Sequence, residues 1–194
     1  MNGSEIDPSP GRSATQDEVL DLDTRELIGG FLVDVDGLSS SRPRGKQSEA
    51  HSTMQRVVEG LVEKHRCLYN GMIKKLELDE RHEDDTSFVR STAKSLFSDG
   101  TTSWCRITSL VALGAVVCQY LRKKNREQCV RSVGHEISTY LLSEQREWLI
   151  ENNSWDGFVD FFRVTDPECT VRNALMMTVA GFVGIGATLG LLIR

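Results

Sequence analysis

The sequence predicts an all-α fold: a helical bundle around a central hydrophobic helix, with a C-terminal transmembrane helix. Three observations carry that reading. Residues 107–121 (ITSLVALGAVVCQYL) are apolar almost all round and bounded by Arg106 and Arg122, a run too short to span a bilayer comfortably and suited to burial on every side. Residues 174–193 (ALMMTVAGFVGIGATLGLLI) carry no charge. Elsewhere apolar residues recur at three- and four-residue spacing, and no strand alternation appears.

Taken in order, residues 1–16 are polar, with no apolar central region of the signal-peptide kind, and read as a disordered N-terminus. Asn2 follows Met1, so the myristoylation pattern is missing. The bundle is expected over residues 17–166. In residues 17–35, Leu20, Leu27, Ile28, Phe31 and Val35 share a helical face. Gly29 and Gly30 each cost roughly 1 kcal/mol against alanine, so tertiary contacts must hold this helix. A polar, breaker-rich linker (GLSSSRPRGKQ) follows, extending to about residue 50.

A second helix is expected over residues 52–76, with Met54, Val57, Val58, Leu61, Val62, Leu68, Met72, Ile73 and Leu76 forming a broad stripe. A third starts near Asp84, whose acidic run suits a helix N-terminus, and ends by Gly100. The central helix comes next, then one marked by Val130, Val133, Ile137, Tyr140 and Leu141. Two short helices close the bundle. Trp148 and Leu149 mark the first, and Trp155, Phe158, Phe161 and Phe162 the second, with Ser154 as its N-cap.

The anchor is expected within residues 172–194. At about 1.5 Å per residue, the uncharged run spans roughly the 30 Å hydrocarbon core. Arg172 and Arg194 flank it, where basic side chains snorkel to the interface. Its glycines do not make a nucleotide loop, since no strand precedes them; Gly186 and Gly190 suit close helix contact.

Composition narrows the function. The chain has 194 residues, 39% apolar and 26% charged, and its net charge of -5 offers no basic face for nucleic acid. The five cysteines include no CxxC pair and read mostly as reduced core or surface thiols, which points to the cytosol. His51, His65, His82 and His135 lack HExxH spacing, and no GxSxG elbow, P-loop or kinase signature occurs. No catalytic residue, metal site or cofactor is expected, and a binding protein is favoured over an enzyme.

Four segments carry a family resemblance. Residues 97–106 (FSDGTTSWCR) and 155–162 (WDGFVDFF) resemble the first and second homology motifs of the B-cell-lymphoma family of apoptosis regulators. Residues 54–60 (MQRVVEG) resemble the third, and residues 71–76 (GMIKKL) are similar to the myeloid cell leukaemia branch. The resemblance implies a groove that captures the amphipathic death-motif helix of a pro-apoptotic relative. It implies a survival function restraining outer-membrane permeabilisation, with a pore-forming, pro-death member as the alternative. The anchor would then lie in the mitochondrial outer membrane facing the cytosol, or in the endoplasmic reticulum.

By match to the motifs, Arg106 would pair with an aspartate of the partner helix and Asp99 would face a basic partner residue. Leu96, Leu110 and Leu113, with His65, Tyr69 and Met72, would line the groove. The family's usual Asn-Trp-Gly-Arg is Ser103-Trp104-Cys105-Arg106 here. Ser103 can still cap the helix, whereas Cys105 adds a β-carbon and sulfur where glycine lets the partner backbone approach.

Overall fold

The computed structural model describes residues 11–35, 46–76, 78 and 85–164. The expected anchor, the helix start at Asp84 and most of the linker lie outside the described residues. Within them every regular element is a helix, and there are eight: α1 (Gly11–Asp34), α2 (Lys46–Lys64), α3 (Arg66–Lys75), α4 (Ser87–Leu96), α5 (Trp104–Lys123), α6 (Gln128–Glu144), α7 (Arg146–Glu151) and α8 (Ser154–Val164).

The axis is α5. It has 20 residues and its most apolar 18-residue window has a mean hydropathy of 1.4, enough by length and composition to cross a membrane, yet 72% of that window is buried inside the bundle. Ser103 is extended (φ -157°, ψ 156°), and its hydroxyl accepts the Arg106 N–H, which satisfies one free donor of the first turn. Thr108 and Ser109 would leave polar groups in the core, but each donates back to a carbonyl four residues earlier, Trp104 and Cys105. At the other end, the Arg122 guanidinium donates to the carbonyls of Leu32 (3.1 Å) and Val33 (2.7 Å), capping the end of α1.

The tertiary support that Gly29 requires comes from α6, on which α1 packs most extensively. A Cβ on Gly134 would stand 3.4 Å from the Cα of Gly29, so the two helices cross with their backbones close together. Both glycines trade helix propensity for that approach.

The expected helix over residues 52–76 is two helices. At His65 the backbone leaves the α region (φ -115°, ψ 25°), ending α2 and starting α3, while the apolar stripe continues through the break. The helix expected near Asp84 begins at Ser87, where the Asp85 carboxylate accepts both the Ser87 N–H and its hydroxyl. Ser154 departs from its expected role as N-cap: it is the first residue of α8 and has φ 51°. Its neighbour Asn153 also has a positive φ of 59°, so α7 turns into α8 through two left-handed residues.

That corner packs onto the start of α5. Trp104 meets Trp148 edge-on at 4.9 Å between centroids, Phe158 at 5.6 Å and Trp155 at 5.8 Å. The Trp155 indole N–H donates 2.9 Å to the hydroxyl of Thr24, a fully buried residue of α1. Arg146 adds a second tie from α7 to α1 through Asp21. One end of the bundle is thereby locked by rings and polar pairs drawn from four helices.

Candidate partner-binding site

The turn from α4 to α5 presents the charged residues singled out above. Gly100 takes φ +72°, a value glycine adopts without steric cost, and the Asp99 carboxylate accepts the Thr101 N–H at 2.9 Å. Arg106, on the first turn of α5, reaches back across this turn. Its guanidinium donates to both Asp99 oxygens, one at 2.6 Å, and to the carbonyls of Thr101 (2.8 Å) and Leu96 (3.2 Å). The fork geometry of arginine matches a carboxylate at two points, as a lysine could not.

The electrostatics follow from that contact. Hydrogen bonds from Arg106, then from the Thr101 backbone, hold the Asp99 carboxyl well below the usual carboxylate range. The same pair pushes the Arg106 guanidinium up. The Asp99 side chain is 45% exposed and that of Arg106 15%, so the carboxylate forms the outer half of the clasp.

The sequence assigned Arg106 and Asp99 to two different groups of a partner. In the chain alone they satisfy each other, and a partner carboxylate has to exchange with Asp99 for the fork. Neither carbonyl acceptor, Thr101 or Leu96, carries a signal in the sequence, because backbone acceptors are independent of side-chain type.

The apolar candidates separate into two places. Leu110 and Leu113 line a small void with Phe88 and Val89 of α4, and both are buried, as are Leu96 and Met72. Tyr69 is fully buried and lies on the wall of a different cavity with Ala115 and Val116 of α5. Its hydroxyl has no hydrogen-bond partner, and burial pushes its pKa up. His65 is half-buried at the α2–α3 break, and its carbonyl accepts the N–H groups of Leu68 and Tyr69. Ser103 caps α5 as expected.

Cys105 packs half-buried against the core and is disulfide-bonded. That is an exception to the reduced thiols expected from the sequence, which hold for Cys67, Cys118 and Cys129. Its sulfur adds bulk one residue from the Arg106 fork.

A family model described as Bcl-2, apoptosis regulator proteins, matches residues 54–155, from the start of the third-motif segment to the first residue of the second. The chain belongs to the Bcl-2 family. Among Bcl-2 relatives, the anti-apoptotic protein NR13 of Coturnix japonica is 31% identical over 113 residues, covering 56% of this chain and 63% of that protein. Bcl-2-like protein 1 of Rattus norvegicus is 33% identical over 67 residues, covering 34% of this chain and 28% of the relative. The matched region thus spans less than two thirds of the NR13 length.

A crystal structure of the zebrafish pro-survival protein NRZ in complex with the Bad BH3 segment has the same fold. Its TM-score is 0.68 at 23% identity, covering 77% of this chain and 98% of that one. The family model establishes the Bcl-2 family, and these relatives do not single out the myeloid cell leukaemia branch.

Proposed function

We propose that this Bcl-2 family chain is a survival-type regulator that sequesters pro-apoptotic relatives by holding their amphipathic death-motif helix in a groove over α5. The observation that carries the reading is the Arg106 fork, held bidentately by a carboxylate at the mouth of the apolar central helix. A partner aspartate has the same chemistry as Asp99 and would register the incoming helix by replacing it. Leu96, Leu110 and Leu113 with Met72 would then receive its apolar anchors, as in other helix-in-groove complexes. Similarity to NR13, named anti-apoptotic, supports the survival sign.

Action by binding rather than turnover follows from this reading. The uncharged run at residues 174–193 supports attachment to the mitochondrial outer membrane, or the endoplasmic reticulum, with the bundle facing the cytosol. The length and hydropathy of α5 favour a second reading, a pore-forming, pro-death protein. One experiment separates the two. Protein added to mitochondria challenged with a death-motif activator should block release of intermembrane proteins, whereas enhanced release would reverse the assignment.

A further inference from the structure

A cavity of about 670 Å³ lies between the end of α1, one face of α2, the start of α3 and the C-terminal half of α5. This is within the usual range for small-molecule sites, about 300–1,000 Å³. Its apolar wall is Phe31, Val35, Val58, Val62, Ala115 and Val116. It shares Tyr69 with the residues assigned to the groove but none of Leu96, Arg106, Leu110 or Leu113.

Three polar groups on this wall are poorly served by the chain itself. The Tyr69 hydroxyl and His51 Nε2 are buried atoms without a hydrogen-bond partner. Such groups cost stability unless something else satisfies them. Asp34 is the third. Its carboxylate is 21% exposed and lies 3.8 Å from His51 Nε2, beyond hydrogen-bond distance.

Asp34 is also the last residue of α1, where the helix dipole is negative and a carboxylate is disfavoured, and the last turn of α1 holds no basic residue. The Arg122 guanidinium offsets that dipole at the Leu32 and Val33 carbonyls, so the negative charge facing the cavity is the partly buried Asp34 carboxylate itself. Among the exposed charges on the wall, Arg66 is paired with Glu63, Glu59 accepts from the Gln55 side chain at 3.0 Å, and Lys123 is exposed.

We propose that this cavity is a second ligand site, distinct from the groove, and that it takes a lipophilic primary amine. The ammonium donates to the Asp34 carboxylate and to His51 Nε2, the apolar body lies against the valines and Phe31, and an oxygen on the ligand accepts from the Tyr69 phenol. An anionic lipophile is rejected by the Asp34 carboxylate. Because Tyr69 belongs to α3, occupancy would bear on the helix that also borders the groove.

A matched probe set, each member carrying the same ether oxygen, tests this on the full chain: 3-phenoxypropylamine, 3-phenoxypropan-1-ol and 4-phenoxybutanoate, with binding read by ligand-observed NMR and calorimetry. The amine should bind at least tenfold more tightly than the alcohol, and the carboxylate should not bind. Asp34→Asn should remove the amine's advantage, and filling the cavity with Gln119→Trp or the smaller Val62→Phe should abolish binding while thermal unfolding shows the fold intact. Arg106→Ala should leave amine binding unchanged.

No binding, equal binding of all three probes, or binding indifferent to Asp34→Asn overturns the proposal. So does loss of binding in Arg106→Ala or displacement by a death-motif peptide, since the amine would then sit in the groove. The Arg106→Ala and mitochondrial results bear on the groove reading separately.

Discussion

Arg106 and Asp99 grip each other through both carboxylate oxygens across the turn that joins α4 to α5, so the fork is occupied before any partner arrives. Asp99 is depressed in the folded chain. Its contribution is fully present above the unfolded aspartate value, near 3.9, and is lost as pH falls through the folded value. Asp99→Asn should therefore be less stable than the parent at neutral pH, with the gap closing in acid. Thermal unfolding across a pH series measures this; a gap that stays constant would assign it to the amide rather than to charge.

For binding, Arg106→Ala should weaken capture of a death-motif peptide by about 2–5 kcal/mol, the usual range for truncating one side of a buried ion pair. Exchange with Asp99 offsets part of the gain from the partner carboxylate, which places the expected loss toward the lower bound. An unchanged dissociation constant in calorimetry would remove Arg106 from the interface.

Cys105→Gly should tighten the same peptide by several-fold, since the half-buried sulfur adds bulk beside the fork. Titrations with and without reductant separate the effect of the disulfide from that of the side chain. If the variant and the parent bind alike in both conditions, the cysteine does not limit the approach of the partner backbone.

Gly157→Ala should destabilise the chain by about 1–3 kcal/mol, a typical cost of overpacking. A Cβ at Gly157 would lie 1.8 Å from the Asn152 carbonyl oxygen, and backbone cannot swing aside as a flexible side chain can. Denaturant unfolding of the variant checks it; wild-type stability would mean that the α7–α8 corner adjusts freely.

Trp155→Phe should cost about 1–3 kcal/mol because it leaves the buried Thr24 hydroxyl without its donor. Thr24→Val made in the Trp155→Phe background should cost less than it does alone. Additive losses in that double-mutant cycle would mean that the 2.9 Å hydrogen bond contributes little.

The bundle was legible wherever helical spacing and burial coincide. The stripe through Val130, Val133, Ile137 and Leu141 is buried in α6, and the run at residues 107–121 is the core of α5. The break at His65 was hidden because Leu61, Tyr69 and Met72 keep the apolar face continuous while only the backbone departs. Ser154 carries the side chain of a cap but the φ of a turn residue, a choice imposed by the corner rather than by residue type. Arg106 was legible through its motif. Asp99 was legible in the same way, but its pairing with Arg106, the Thr24–Trp155 bond and the Arg122 cap on α1 were not, since the last two join positions about a hundred residues apart with no local pattern. The same holds for the cavity, which exists only once four helices meet.

All three tryptophans of the chain, Trp104, Trp148 and Trp155, stand in one ring cluster, and Trp104 lies two residues before Arg106. Light absorbed by indole anywhere in this protein is absorbed at the mouth of the proposed groove. The native chain thus carries its own spectroscopic label there: emission should register a docking helix or an opening of this end without any dye, and should be nearly blind to events at the far end of α5.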